Sequence, residues 1–437
     1  MRVARAARAL GISPVGVASE ADRGAGWLDI MDEFVVLGPS APRESYLRGD
    51  AIVQAARQTG CSAVHPGWGF LAENPSFAAL AEQHGLIFVG PTASVMERMG
   101  LKWPAKRAMS EAGLPGIPGS PGLLTDADEA VRVAAEVGYP VILKADAGGG
   151  GRGMRLCPEE SEVPGAYAAA SAEAAAAFGD GSLYLEKYIE GGRHVEVQLV
   201  ADAFGNCIHL FERDCSVQRK HQKLIEESPC PLLDDAARRE LGEASARAAA
   251  AIGYRGAGTI EFLRRPDDGT LCFMEMNTRL QVEHPVTELV TGLDVVELQL
   301  RAAANQPLPL RQEDVRLEGH AIECRINAED PSRDFQPSPG RIEAFEFPED
   351  LGPGTIRVDT HLQAGDSVPP YYDSLVAKVL AHGEDRAAAI ETMLRALRAA
   401  RVEGVATTIP LHLAVLESEA FRTSQFDTRT IPGWPKP

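Results

Sequence analysis

Positive charge is scarce in this chain: 43 Lys and Arg stand against 62 Asp and Glu, a formal net charge of −19 over 437 residues. Polyanions are captured by clustered Lys and Arg, so this balance argues against a nucleic-acid or membrane-surface partner, and any bound phosphate must be handled by a local pocket. No apolar run approaches the ~20 residues of a membrane span, and the N-terminus carries no apolar stretch of a secretory signal. A cytoplasmic protein is expected. The seven cysteines (Cys61, Cys157, Cys207, Cys215, Cys230, Cys272 and Cys324) form no Cys-x-x-Cys pair and no Cys/His cluster at zinc spacing, which fits reduced thiols. Internal repeats are absent, as are low-complexity tracts beyond Ala-rich helices.

Apolar residues make up 45% of the chain and charged residues 24%, as in ordinary globular proteins. At roughly 150 residues per domain, the length suggests about three domains, or one with a large insertion. The first ten residues are Arg-rich and acid-free, a composition shared with organelle transit peptides. Val3, Ala6, Ala7 and Leu10 nevertheless fall on one face at helical spacing, and an amphipathic first helix is preferred.

Short apolar runs at residues 14–17, 34–37, 62–64 and 86–89 alternate with helix-like stretches such as 51–57, which predicts a parallel α/β layer. His65-Pro66-Gly67-Trp68-Gly69-Phe70 follows one of these runs. It is either a ligand-facing loop at the C-terminal edge of the sheet or a tight Gly/Pro turn. Residues 113–122 are Pro- and Gly-rich, which reads as a hinge into a smaller unit. That unit holds a helix over 127–137, a strand at 140–145, an Ala-rich helix over 166–178 and a strand at 183–188. An alternating hairpin (194–200 and 208–212) and a long helix over 234–252 follow. The fold class expected is α/β, passing to α+β in the central and C-terminal parts.

From Glu275 to Glu283, polar and apolar residues alternate without a slip. A strand would place Glu275, Asn277, Arg279, Gln281 and Glu283 on one side and turn Met276, Leu280 and Val282 toward a core. Upstream, Gly258-Thr259-Ile260-Glu261-Phe262-Leu263 carries one carboxylate in an apolar strand. With a five-residue hairpin loop over 266–270, Glu261 lies opposite Glu275. Like charges ~5 Å apart at Cβ repel unless a cation lies between them, so a Mg²⁺ or Mn²⁺ site for a nucleotide is one reading. Pairing of Glu261 with a Lys or Arg is the other. Zinc would call for His or Cys.

Lys144-Ala145-Asp146-Ala147-Gly148-Gly149-Gly150-Gly151-Arg152-Gly153-Met154 places a glycine run between two strand-like segments. It matches neither the P-loop nor the dinucleotide fingerprint. Glycines let backbone N–H groups approach phosphate oxygens, so a flap over a nucleotide is suggested; a plain flexible loop would look the same.

Taken together these segments resemble the biotin carboxylases of the ATP-grasp superfamily. The resemblance is carried by the His65 to Phe70 motif, the glycine flap, Glu212-Arg213-Asp214-Cys215-Ser216, Arg219-Lys220-His221-Gln222-Lys223, Glu275 through Pro285, Glu323-Cys324-Arg325-Ile326-Asn327-Ala328-Glu329-Asp330 and Pro370-Tyr371-Tyr372-Asp373-Ser374, spread in family order over nearly the whole chain. It implies an N-terminal parallel α/β domain at 1–89, an ATP-grasp domain at 90–310 with a mobile lid at 117–189, and a mixed C-terminal domain at 311–437.

The resemblance also implies roles. Lys102 and Lys144 would hold ATP phosphates under Gly150 and Gly151, with Met154, Glu186, Lys187, Tyr188 and Ile189 bordering the nucleotide and His194, Gln218 and His221 near its ribose and phosphates. Glu261, Glu275 and Asn277 match metal ligands for Mg²⁺ or Mn²⁺. Lys223, Arg279, Gln281, Val282 and Glu283 match a bicarbonate site, Glu283 being the base, and Arg325 matches the Arg that meets bicarbonate and biotin. The implied reaction is ATP-dependent carboxylation of carrier-bound biotin through carboxyphosphate, the first half-reaction of acetyl-CoA carboxylase in fatty acid synthesis or of another acyl-CoA carboxylase. The implied partners are a biotin carboxyl carrier protein, carboxyltransferase subunits and, in a homodimer, a second copy of the chain.

Two departures accompany it. A first strand and turn, Ile-Ala-Asn-Arg-Gly-Glu-Ile-Ala in family members, has no counterpart ahead of Met1, which predicts unpaired neighbouring strands and exposed apolar surface. A truncated chain that binds nucleotide without turnover is the corresponding alternative. Asp146 and Ala147 stand where the family has small residues and a further Gly. No Met-Lys-Met biotin-acceptor motif occurs, so biotin is expected on another protein. Another ATP-grasp ligase is a further alternative, opposed by the Arg325 and Tyr371 segments.

Overall fold

The computed structural model describes residues 1–147, 153–348 and 350–434. The chain opens with α1 (Arg2–Ala9), whose Ala4, Ala6 and Ala7 are buried. Strands β1 (Val15–Ser19) and β2 (Glu33–Gly38), helix α2 (Gly49–Gln58), β3 (Ala63–Val64), α3 (Pro75–Gln83) and β4 (Ile87–Phe88) follow. The expected parallel pairing is present, as β1 with β2 and β3 with β4, but as two separate two-stranded sheets instead of one layer. Among the described residues no ladder joins β1 to β3, and Phe34 and Ile87 are exposed.

Helices α4 (Ala93–Gly100) and α5 (Lys102–Glu111) lead to the Pro- and Gly-rich stretch at 113–122. This stretch runs beside β7 (Leu183–Lys187): Ser120 N–H donates to Leu185 O at 2.8 Å and Lys187 N–H to Pro118 O at 2.7 Å. Gly119 is required there, since a Cβ would lie 2.2 Å from the Leu185 carbonyl oxygen. Helix α6 (Ala127–Val137) and α7 (Val163–Phe178) pack on a three-stranded antiparallel sheet ordered β6 (Met154–Cys157), β5 (Val141–Ala145), β7. Ala130, Ala134, Ala170 and Ala174 meet Val141, Leu143, Leu183 and Leu185 in a core of its own. The small side chains of α7 let the helix lie close to the sheet, and each fully buried Leu or Val contributes roughly 1.5–3 kcal/mol.

The remainder is built on one eight-stranded antiparallel sheet. Its strands are β8 (Arg193–Ala201), β9 (Cys207–Arg219), β10 (Gln222–Ser228), β11 (Gly256–Arg264), β12 (Leu271–Asn277), β13 (His320–Asn327), β14 (Thr355–Thr360) and β15 (Leu375–Gly383), in the order β12-β11-β8-β9-β10-β13-β15-β14. The sheet crosses the expected 310/311 boundary, because β10 pairs with β13. Helix α8 (Asp235–Ala251) packs on β8 and β9, capped by Asp234, whose side chain accepts from Ala236 and Ala237 N–H. Helix α9 (His284–Thr291) lies against β9, β10, β13 and β15, while α10 (Val295–Ala303) covers β11 and α11 (Arg386–Ala399) covers β13 and β15. Arg2 of α1 is held by Glu288 of α9 at 2.6 Å and by Asp294, the N-cap of α10.

Candidate active site

The β11–β12 hairpin brings Glu261 directly opposite Glu275. The loop that does so differs from the expected one. Arg264 pairs with Leu271, so six residues, not five, lie between the strands, and a bulge at Met274 absorbs the extra residue and restores the Glu261–Glu275 register. A second correction concerns the alternating segment from Glu275 to Glu283. Strand β12 ends at Asn277, and residues 278–283 form the connection to α9, with Glu283 as the helix N-cap. The alternation therefore spans two local structures, although Met276, Leu280 and Val282 are buried as expected.

Convergence is achieved by side chains. Glu261 Oε1 accepts from Asn277 Nδ2 at 2.8 Å, from Gln281 Nε2 at 2.9 Å and from Lys223 Nζ at 2.8 Å. Lys223, just past the two-residue turn at Lys220 and His221, also reaches Glu196 and Glu283, each at 2.6 Å. Both turn residues have left-handed φ, 49° and 66°, as a tight hairpin turn requires. One ammonium thus holds three buried carboxylates. Against the burial that favours their neutral form, Lys223 is the largest force holding Glu261 and Glu283 ionised, Glu283 at about 2. Burial alone would lower the Lys223 pKa, yet Glu196, Glu261 and Glu283 push it well above the ordinary ammonium.

Arg325, on β13, bridges Glu283 Oε2 at 2.8 Å and Glu226 Oε1 at 2.6 Å. Arg279 donates to Asn277 Oδ1 and to Glu73 Oε2, both at 3.0 Å. Gln281 is fixed from behind by Arg213, which is fully buried and donates 2.8 Å to Gln281 Oε1 and 2.6 Å to Glu196 Oε1. Val282 O accepts from Lys378 Nζ at 2.7 Å. Lys223, Arg279, Gln281, Val282, Glu283 and Arg325 therefore form one connected group.

The residues expected around a nucleotide divide between the two sheets. Lys144 Nζ pairs with Glu186 Oε2 at 2.6 Å across β5 and β7, and Lys106 touches the other oxygen of Glu186. Met154 lies opposite Lys144 on β6. Lys187 turns its ammonium away, to the carbonyls of Gly138 and Tyr139, and Tyr188 and Ile189 are half-buried beyond it. Lys102 opens α5, which Asp146 holds: its backbone carbonyl accepts from Lys102 N–H at 3.2 Å and its side chain from Trp103 N–H at 2.7 Å. On the large sheet, His194 Nε2 lies 3.2 Å from Glu261 Oε2, and against the lowering effect of burial this carboxylate raises the imidazole to about 9. Gln218 is buried opposite Lys223, and His221 is exposed in its turn. Gly150 and Gly151 lie outside the described residues.

Glu196, Glu226 and Glu73, none of them singled out from the sequence, complete the site together with Arg213, which the sequence showed only as part of a resembling segment. Their signal was the polar phase of an alternating strand, His194, Glu196 and Gln198 on β8, which looks like a solvated face until β9 supplies Arg213 to it. In the His65 motif, His65 Nδ1 accepts from Gly67 N–H at 3.0 Å and its Nε2 meets Gln299, with burial pulling the ring down to about 4. The segment after the motif delivers Glu73 to Arg279.

The donors fit an oxygen-coordinated divalent cation. Glu261 and Glu275 stand at paired positions, Glu275 is open to solvent, and Asn277 adds an amide; in this arrangement Asn277 faces Glu261 with its NH₂ and gives its oxygen to Arg279.

Family models described as "Biotin carboxylase, N-terminal domain", "Carbamoyl-phosphate synthase L chain, ATP binding domain" and "Biotin carboxylase C-terminal domain" match residues 1–96, 102–311 and 323–433. The chain is 51% identical to biotin carboxylase 1 of Bacillus subtilis over 99% of its own length and 95% of the relative's. It is 48% identical to a pyruvate carboxylase subunit of Methanothermobacter thermautotrophicus over 99% of its length and 87% of that protein. A crystal structure of a biotin carboxylase–β,γ-ATP complex from Campylobacter jejuni superimposes with a TM-score of 0.93 at 46% identity, covering 98% of this chain and 95% of that one. The biotin carboxylase domain dimer of Hydrogenobacter thermophilus 2-oxoglutarate carboxylase, in complex with MgADP, ADP and bicarbonate, gives 0.92 at 47%, covering 98% and 93%. With three consecutive family models and half of its residues shared with named members over nearly their full length, the chain belongs to the biotin carboxylase family of ATP-dependent carboxylases.

Proposed function

We propose that this chain uses ATP and bicarbonate to carboxylate biotin borne by a separate carrier protein, as the first half-reaction of acetyl-CoA carboxylase. One observation supports this most: Glu261, Lys223, Glu283 and Arg325 form a continuous line of charge that runs from the Glu261–Glu275 pair to the Arg325 guanidinium. An anion the size of bicarbonate is suited to such a line, held by Lys223 and Arg279 in line with the γ-phosphate of ATP.

Glu283 is the base. Against the burial that favours its neutral form, Lys223 and Arg325 keep it ionised down to about 2, too weak a base for bicarbonate. An incoming anion competes for both cations and so returns basicity to Glu283 when the substrate is in place. The deprotonated bicarbonate oxygen attacks the γ-phosphorus and ADP departs, leaving carboxyphosphate. Lys102 and Lys144 hold the phosphates during transfer. Glu261, Glu275 and Asn277 would hold Mg²⁺ or Mn²⁺, which would supply neutralisation of phosphate charge. Carboxyphosphate breaks to CO₂ and phosphate, phosphate takes the ureido N–H proton, and that nitrogen attacks CO₂ while Arg325 stabilises negative charge on the ureido oxygen.

The same reading places the nucleotide-handling unit at 90–310 with its lid at 117–189, between flanking domains at 1–89 and 311–437. It also takes the protein as a cytoplasmic homodimer serving a biotin carboxyl carrier protein and carboxyltransferase subunits; the Hydrogenobacter neighbour is a domain dimer. A role in another acyl or keto acid carboxylase is favoured by the pyruvate and 2-oxoglutarate carboxylase relatives. ADP release from the purified chain with free biotin and bicarbonate tests the core reading: release that depends on both supports it, and ATP binding without such release overturns it. Malonyl-CoA formation after addition of carrier and transferase separates the two acceptors.

A further inference from the structure

Behind Arg325 lies a group the reaction above does not use. Glu226 on β10 and Glu323 on β13 are directly opposite each other in the ladder, and both are fully buried. Directly opposed residues point to the same face of the sheet with Cβ atoms ~5 Å apart. Glu226 Oε1 accepts from Arg325 Nε at 2.6 Å, but Glu226 Oε2 and both oxygens of Glu323 have no hydrogen-bond donor among the described residues. Three buried carboxylate oxygens without a donor are costly, each ordinarily demanding a partner.

The neighbouring charges do not supply one. Arg325 is shared with Glu283 through its Nη2. Lys378 of β15, opposite Arg325, gives its ammonium to Val282 O at 2.7 Å and lies 3.7 Å from Asp359. Lys223, on the same strand as Glu226, is committed to three other carboxylates, and Cys215 of β9 adds no positive charge. Helix α9 brings Glu283 and His284; the His284 Nδ1 faces Gln281 O. Helix α11 covers the opposite face of the sheet, where its Arg386 meets Glu227.

We propose that Glu226 and Glu323 hold a single proton between them and act as a positioning pair for Arg325: Glu323 is the carboxylic acid and donates to Glu226 Oε2, while ionised Glu226 grips Arg325 Nε. This rests on the reading of Arg325 as the group that meets the biotin ureido oxygen. The pair carries one negative charge instead of two, so it neutralises Arg325 on one edge and leaves its Nη2 edge directed at Glu283 and the substrate. Burial pushes both acids up, Glu226 to about 7 and Glu323 well above the ordinary carboxyl, which agrees with one proton remaining on the pair at neutral pH.

Infrared spectroscopy of the full chain at neutral pH, in H₂O and D₂O, tests the proton directly. The wild type is expected to show a deuterium-sensitive carbonyl band of a buried protonated carboxyl group that E323Q and E226Q both lack and E283Q keeps. In ADP-release assays with free biotin, E226Q is expected to raise the biotin KM about tenfold with little change in the ATP KM, and E323Q, whose amide still donates to Glu226, to retain at least ten times the kcat/KM for biotin of E323A. A wild-type spectrum matching that of E323Q overturns the shared proton, and an E226Q enzyme with the wild-type biotin KM overturns the positioning. Loss of biotin-dependent turnover in the wild type itself would instead sink the reading of the reaction, and the infrared result would still decide the proton.

Discussion

Lys223→Met removes the cation shared by Glu196, Glu261 and Glu283 while keeping the length of the side chain. All four groups are nearly buried, with side-chain exposures of 12% for the lysine and 0%, 6% and 3% for the acids, so solvent offers little relief. Glu283 titrates at about 2 when folded, against an ordinary carboxyl near ~4.3, and ~1.36 kcal/mol per unit makes that one group worth ~3 kcal/mol at neutral pH. Breaking a buried ion pair from one side costs about 3–5 kcal/mol by independent measure, and the two figures agree. For a depressed carboxyl, the stabilisation is present above the ordinary range and lost as pH falls toward 2. In the variant the acids take up protons instead, so their destabilisation grows as pH rises. Urea unfolding followed by tryptophan fluorescence is expected to show a loss of ~3–5 kcal/mol at about pH 8 and a smaller loss at about pH 5. A loss below ~1 kcal/mol at the higher pH, or one that does not vary with pH, would refute the three-carboxylate account.

Glu283→Gln should abolish bicarbonate-dependent ADP release while ATP still binds, checked by nucleotide titration beside turnover; full activity would remove the proposed base. Asp146→Ala takes away the acceptor for Trp103 N–H and should cost ~1 kcal/mol and raise the ATP KM several-fold through the start of α5 at Lys102, measured by melting with and without nucleotide. Gly119→Ala puts a methyl group against the Leu185 carbonyl and should destabilise the small β5–β7 unit by ~1–3 kcal/mol, read as faster hydrogen exchange in β7 with exchange in β8 to β11 unchanged.

Much of the architecture was legible because it is written in local periodicity. Helix α6 begins and ends at the expected residues, and the parallel pairing of the first strands follows from their apolar runs. The Glu261–Glu275 register was also legible, though by two errors that cancel: a loop one residue longer than expected and a bulge one residue deep. Bulges depend on how the whole sheet twists, which no short segment reports. The alternation after Asn277 misled for a related reason: a turn running into a helix N-cap can copy the phase of a strand over six residues. Glu196 and Glu226 escaped notice because each is meaningful only through a strand that arrives from elsewhere in the chain. A glutamate on an alternating strand is usually solvated, and only the β10–β13 ladder turns Glu226 and Glu323 inward upon each other.

The separation of the two sheets has a mechanical consequence. Lys144 and Glu186 ride on a three-stranded sheet with its own apolar interior, whereas Lys223, Glu261 and Arg325 stand on three strands of the eight-stranded sheet. Tilting the smaller body as a unit would change how far Lys144 stands from that sheet while leaving the spacing of the other three untouched. On the proposed reading, the grip on nucleotide would thus tighten or slacken without detuning the place where carbon changes hands.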